Sequence, residues 1–341
     1  MARRSVLILM MLLTSVAVRT RTLFGQNTTN AFLEIGVGPR ALGMGGAFCG
    51  VADDGTAFYW NPAGMSLVDR ARLSAMYGPQ FGTIANPLGD YHFLGLALPM
   101  KGDVRIAVNW IRLSVDDIPV YPGLEGESYL ERLRDRSLQP DGRPDGFIQD
   151  TEDAFFFTFS KRNDNRLDLG WLYHRVRVDI PFGINIKWIR QSVGSYSATG
   201  LGVDIGTMMR FHLNDLFQSD KLGWFSIGLH LQDATRTTMR WNTRHQDETP
   251  RNWKLGMAYR CPLPIRSAAA LLAYDHDSKW GGIDRFGLEF QGFSHVALRI
   301  GSDDGRLTAG AGLKIRFMEA DYAFVSHSLN SLHRVGCSIS F

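Results

Sequence analysis

The chain ends Arg334-Val335-Gly336-Cys337-Ser338-Ile339-Ser340-Phe341, with apolar side chains alternating with small or polar ones up to a terminal phenylalanine. A period of two puts Val335, Cys337, Ile339 and Phe341 on one face of a β-strand and Arg334, Gly336, Ser338 and Ser340 on the other. The first face suits hydrocarbon and the second a watery interior. The octapeptide therefore reads either as the last strand of a membrane barrel or as an edge strand of a soluble sheet, and the residues upstream decide between them.

Working backwards, the same period recurs. Leu307, Ala309, Ala311, Leu313, Ile315 and Phe317 alternate with Thr308, Gly310, Gly312, Lys314 and Arg316. Met318, Ala320, Tyr322 and Phe324 oppose Glu319, Asp321 and Ala323, and similar runs fill 285–291, 296–300, 253–259, 225–231, 201–205, 184–188 and 104–110. A soluble sandwich alternates too, but a membrane barrel needs about 9–11 residues per strand and short turns at one end only. If the strand near Arg72 runs outward, the connections at 100–103, 178–181, 261–265, 292–294 and Phe317 fall at one end and are short. The connections at 78–90, 113–153, 233–250, 275–283 and 327–333 fall at the other, with 213–223 the exception.

Counting on this scheme predicts an all-β fold, an antiparallel transmembrane β-barrel of about 14 strands, the even number that a single-chain bacterial barrel requires. Parity admits only one of 154–161 and 167–177 as a wall strand; the second is expected in the wall, with the first extending an external hairpin. Tyr77, Trp110, Trp188, Trp224, Trp253, Tyr259 and Phe341 lie near strand ends, where an interfacial girdle of aromatics is expected, although β-propensity alone would also place aromatics there.

The N-terminus reads as an export signal. Arg3 and Arg4 precede an apolar run from Val6 to Val18, and Thr20–Gly25 turns small and polar, which predicts a signal peptide over 1–25 with cleavage at Gly25–Gln26. The apolar run is shorter than the about 20 residues that span a bilayer as a helix, and no later stretch is long enough. Together with the barrel this predicts residence in the outer membrane of a diderm bacterium. A net charge of +3 with no recognisable binding motif sets nucleic acid aside. Of the three cysteines, Cys337 is expected to face lipid, so a disulfide could join only Cys49 and Cys261, and none is expected.

The domain reading is then a signal peptide at 1–25, an N-terminal hatch at 26–70 and the barrel at 71–341. Residues 31–66 fit no strand, and their glycines at 36, 38, 43, 45, 46 and 50 match neither a GxGxxG nor a Walker lysine pattern. Small residues at this density suit backbone confined inside a lumen, and Asn61-Pro62 with Gly64 reads as a rigid turn into the first strand.

Here the sequence resembles a known family. GPRALGMGGAF at 38–48, ADDGTAFYWNPAG at 52–64 and SVDDIP at 114–119 resemble the PorV/PorQ proteins of the FadL-like outer-membrane barrels. The resemblance implies a 14-stranded barrel with a lumenal hatch, and a hatch motif of Gly43, Gly45, Gly46, Asp53, Asp54, Asn61, Pro62, Ala63 and Gly64. A terminal aromatic such as Phe341 resembles the signal read by the outer-membrane assembly machinery. Two functions follow as expectations. FadL-like barrels pass hydrophobic small molecules, captured outside and released past a shifting hatch; PorV-like proteins are partners of type IX secretion that hold exported cargo at the surface. Ile118, Val120, Tyr121 and Leu124 could begin a capture groove, whereas Glu125, Glu127, Glu131, Arg132, Arg134, Asp135 and Arg136 read as a solvated or protein-docking face.

No catalytic, cofactor or metal residues are expected. The histidines form no HExxH. Asp275-His276-Asp277 with Lys279 lacks a further ligand, and Asp141–Gly146 lacks the alternating ligands and closing glutamate of a calcium loop. Asp53 and Asp54 are expected to bond backbone amides or lumenal arginines such as Arg285, Arg299 or Arg316.

Overall fold

The structure, a computed structural model, describes residues 29–82, 86–123, 128–135, 142–168, 170, 175–219, 221–265, 267–292, 295–327 and 331–341. The expected signal peptide lies outside the described residues, as do Leu124, Glu125, Glu127, Arg136 and Asp141.

Among the described residues eighteen strands form one antiparallel sheet. In chain order they are β1 (Arg72–Gly82), β2 (Pro87–Pro99), β3 (Val104–Val120), β4 (Gly146–Lys161), β5 (Asp164–Asp168), β6 (Arg175–Asp179), β7 (Phe182–Val193), β8 (Tyr196–His212) and β9 (Trp224–Gln232). There follow β10 (Thr238–Trp241), β11 (Gln246–Glu248), β12 (Asn252–Pro262), β13 (Ala269–Asp277), β14 (Ile283–Gly292), β15 (Val296–Asp303), β16 (Arg306–Ile315), β17 (Met318–Val325) and β18 (Leu332–Ser340). Two short hairpins, β5–β6 and β10–β11, lie off the wall, and the remaining fourteen strands close a barrel when β1 pairs with β18, Arg72 opposite Ser340. No edge is left open along this seam, which is what backbone in hydrocarbon requires.

The wall is apolar outside and polar inside. Across β3, β4 and β7 the outward residues stand in rows: Ile106–Phe159–Ile184, then Val108–Phe157–Ile186, then Trp110–Phe155–Trp188. The next row is charged, Arg112–Asp153–Arg190, and at the other end Val104–Lys161–Phe182 ends the band. From Val104 to Arg112 is about 27 Å along the strand, or about 20 Å of height at the usual barrel tilt. That approaches the apolar band of outer-membrane barrels. Inward stand Arg105, Asn109, Thr158, Asn185, Lys187, Asp204, Lys254, Asp275, Glu289 and Arg299, all buried. The girdle expectation fails at Trp224, which points inward and stacks 4.0 Å from the Arg210 guanidinium.

The expected assignment of 167–177 is corrected. Residues 154–161 belong to wall strand β4, paired with β3 and β7 throughout, while 164–168 and 175–179 pair with each other at the end where β1 begins. Arg175 and Arg177 are exposed and Val176 and Val178 buried, the polarity of a soluble strand and not of one facing lipid. Two other connections are shorter than expected because strands continue past the band: β3 reaches Val120 with β4 starting at Gly146, and β1 and β2 leave little between them.

Candidate functional site

Residues 29–68 run through the barrel as a hatch. The segment starts at the long-loop end, where the Asn30 amide donates to Thr249 at 2.8 Å and Glu34 pairs with Lys279 at 2.8 Å. It leaves at the other end, where the Arg105 guanidinium donates to the Val68 carbonyl at 2.7 Å. Between these points it has little regular structure, so its peptide groups need partners from the wall. Thr308 donates to the Gly43 carbonyl at 3.1 Å, Asn185 to Phe58 at 2.7 Å, and Ser226 to Gly50. One carboxylate oxygen of Asp275 accepts both the Phe48 and Cys49 amides, at 2.8 and 2.7 Å.

The glycines serve the same fit. Wall glycines stand directly opposite each other in pairs, Gly183 with Gly206, Gly228 with Gly256, and Gly287 with Gly301, and hatch backbone runs over them. A Cβ on Gly256 would lie 2.4 Å from the Gly50 nitrogen. In the hatch, Gly45 has φ +67° and abuts the Ser302 backbone, which excludes a side chain on both counts.

Each expected hatch residue has a definite place. Gly43 backs onto Gly310, and Gly46 packs against Arg285 and Trp60. Asp53 and Asp54 pair with Arg40, at 2.6 and 3.4 Å, and not with the wall arginines that were expected. Arg40 continues to Glu289 at 2.9 Å, Glu289 to Arg299 at 2.6 Å, and Arg299 to Asp321 at 2.6 Å. Arg299 is thus three links away from the aspartates, while Arg285 bonds Asp277 and Asp303. The Arg40 guanidinium loses hydration on burial, but the Asp53, Glu289 and Asp54 carboxylates outweigh that and raise its pKa. Asp54 also receives the Thr56 amide and hydroxyl, at 2.8 and 2.6 Å.

Asn61 caps a short 3-10 helix, Pro62–Leu67, by accepting the Ala63 amide, and its own amide donates to the carbonyls of Cys49 and Thr207 at 3.1 Å each. One side chain thereby ties two parts of the hatch to the wall. Pro62 and Ala63 lie against Gly183, and Gly64 sits where a Cβ would strike the Ala52 carbonyl. Phe341 is exposed at the end of the chain, its amide bonded to Ala71 at 2.9 Å. Of the acidic loop cluster, alternation sends Asp275 and Asp277 inward and His276 outward to Asp284 at 2.8 Å, so the three do not converge. All three cysteines are free thiols.

Sequence reasoning did not single out Arg105, Asn185, Ser226, Glu289 or Thr308, and weighed Asp275 only as part of a metal or catalytic cluster. Their signal was a polar residue on the lumenal side of a strand, a property shared by many positions without hatch contacts.

Among the described residues the hatch borders a chamber towards each end of the barrel. The far one, about 520 Å³, is lined by the rings of Tyr59, Trp60, Phe156 and Trp280 together with charged side chains. Every lysine and arginine in it is held by a carboxylate: Lys187 by Asp204 and Asp233, Lys254 by Asp277, Lys279 by Glu34, Arg285 by Asp277 and Asp303, and Arg306 by Asp303. The near chamber, about 640 Å³, is bounded by Arg40, Asp53, Asp54, Arg72, Arg260 and Arg299 among others.

With this geometry the chain can be set beside known proteins. No family model matches it, and no curated protein does. Solved structures match in fold. One, described as "TodX deltaS2S3 mutant monoaromatic hydrocarbon channel", has a TM-score of 0.51 at 10% identity, covering 90% of this chain and 99% of that one. A second, "TodX monoaromatic hydrocarbon channel deltaS2 mutant", has a TM-score of 0.51 at 10% identity over 89% of this chain and 99% of that one. The chain therefore has the architecture of the FadL/TodX outer-membrane barrels, a closed fourteen-stranded wall preceded by a hatch segment.

Proposed function

We propose that this protein is an outer-membrane channel of FadL type through which small hydrophobic molecules pass, with residues 29–68 as its gate. The observation that carries this reading is the non-covalent attachment of the hatch, by side-chain hydrogen bonds and ion pairs to the wall, between two separate chambers. Such contacts contribute about 1 kcal/mol each and can be exchanged one at a time. The far chamber offers an apolar solute the rings of Tyr59, Trp60, Phe156 and Trp280, set among polar groups whose cations are neutralised by carboxylates. In this reading Gly43, Gly45, Gly46, Asp53, Asp54, Asn61, Pro62, Ala63 and Gly64 make up the gate and its anchor. Residues 1–25 direct export to the outer membrane of a diderm bacterium, and Phe341 addresses the strand to the assembly machinery.

A second reading, a PorV-like partner of type IX secretion, draws on the hairpin that β3 and β4 raise beyond the charged row. Val120, Tyr121, Leu130, Leu133 and Phe147 are exposed on or beside it, a surface for exported cargo or another secretion protein.

Native mass spectrometry of the complex extracted from outer membranes in mild detergent distinguishes the two. The channel reading expects a small hydrophobic adduct on a lone barrel. A stoichiometric protein partner without such an adduct would replace it with the second reading.

A further inference from the structure

The outward charged row has features that the channel reading does not use. Asp153 binds Arg112 through both carboxylate oxygens, at 2.7 and 2.8 Å, and also receives the Trp110 indole N–H at 2.8 Å. Arg112 lies 5.1 Å from the Trp110 ring, so it is fixed from two sides with Nη1 left over. On the other side of Asp153, in register, stands Arg190, which is exposed; its side chain makes no hydrogen bond or close ion pair with any described residue, and its charge reaches Asp153 only through space. His92 continues the row on β2 beside Arg112. One carboxylate thus faces two arginines, and the row keeps an excess of positive charge on the outside of the wall.

Its surroundings define the ligand. Directly below is the aromatic row Trp110–Phe155–Trp188, with Phe155 and Trp188 stacked at 5.5 Å. Directly above are hydroxyls, Ser114, Thr151 and Ser192. Between the wall and the raised hairpin opens a cleft of about 810 Å³ lined by Arg112, Arg190, Asp153, Asp117, Thr151 and Ser192 among others, so a second carboxylate, Asp117, borders it beside the two arginines. A group held there meets guanidinium N–H donors at the level where the apolar band ends, with hydrocarbon beneath it. β3 and β7 are about 10 Å apart across β4, within which two arginine side chains can converge on one anion.

We propose that Arg112 and Arg190 bind the phosphate of a lipid headgroup in the outer leaflet, its acyl chains lying on the aromatic row. Arginine suits this task because its planar fork of donors matches phosphate oxygens. Asp153 positions Arg112 and is not itself a ligand. The inference rests on the barrel spanning a membrane with its long-loop end outward, and is independent of what passes through the lumen.

The test uses the full chain in a nonionic detergent doped with dioleoyl phosphatidic acid or, separately, dioleoyl phosphatidylcholine, with retained lipid read by native mass spectrometry. The phosphomonoester lipid is expected to be retained in preference to the zwitterionic one. Arg190→Gln should lower its retention roughly fivefold, the usual weight of one cation at an anionic lipid surface. Because the Arg190 side chain is exposed and has no hydrogen-bonded partner to lose, this variant should migrate on gels like the parent with and without heating. Lys161→Gln, at the opposite edge of the band, should change nothing. Equal retention of the two lipids, an equal loss in both variants, or full displacement of the lipid by inorganic phosphate alone would each overturn the proposal.

Discussion

Asp275 on wall strand β13 accepts the main-chain amide of Cys49 at 2.7 Å, so at this point the wall grips the hatch by its backbone. Replacing Asp275 by Ala leaves this amide and that of Phe48 without an acceptor, and a buried unpaired donor costs about 1–3 kcal/mol. The expected outcome is faster protease cleavage within residues 44–60 while the barrel keeps its heat-dependent gel migration. Cleavage at the parent's rate would show that this carboxylate does not hold the hatch.

Lys187 supports two acids at once, Asp204 at 2.8 Å and Asp233 at 2.7 Å, and Thr237 donates to the second. Lys187→Met strands two buried carboxylates, and breaking a buried ion pair from one side costs about 3–5 kcal/mol. A clear drop in unfolding midpoint in urea is expected, partly restored by adding Asp204→Asn. A midpoint unchanged in the single variant would mean that water already stabilises these acids.

Gly256→Val tests the close passage of the hatch. Its side chain would occupy the space of the Gly50 amide, whereas Gly146, with open space around its Cβ position, should accept Ala without effect. The Gly256 variant should expose the hatch to protease and the Gly146 variant should not. Equal behaviour of the two would place the hatch away from β12.

The thiols report on the two surfaces. Burial, and next the Asp275 carboxylate, push the Cys49 thiol well above its ordinary pKa, so it stays protonated and unreactive where a free cysteine would be partly thiolate. Cys337 is exposed on the outside of the wall. An apolar maleimide at pH 8 should modify Cys337 in detergent and reach Cys49 only after unfolding. Rapid modification of Cys49 in the folded protein would show that the hatch opens readily.

Period-two alternation made most of the wall legible, because lipid outside and a polar interior impose opposite chemistry on successive residues. It failed at β4, where Phe155, Phe156 and Phe157 are consecutive. Phe155 and Phe157 face outward, but Phe156 faces the lumen and packs on hatch residue Phe58 with ring centroids 5.1 Å apart. The plug converts part of the interior into an apolar core, and there the alternation disappears. The pair at 164–168 and 175–179 misled in the opposite way: its strands alternate well, but against water.

The hatch was legible as a segment through its small residues and its NPA turn, and its partners were not. In the sequence Asp53 and Asp54 read as partners of backbone amides or lumenal arginines; Asp54 does accept the Thr56 amide, but the counter-ion of both, Arg40, lies in the same short segment and not in the wall. A wall that meets irregular backbone can supply donors and acceptors from any of its strands, and their order along the chain carries no mark of which hatch carbonyl each will meet.

The pairing of β1 with β18 joins residues 72–77 to residues 335–340, almost the full length of the chain apart. The cylinder therefore closes only when its last segment arrives, whereas the piece that occupies its middle precedes every stave. The hatch reaches its place by one of two routes, gathered by the staves as they curve or threaded into the finished cylinder from the end where it joins β1, and the seam is where the two diverge.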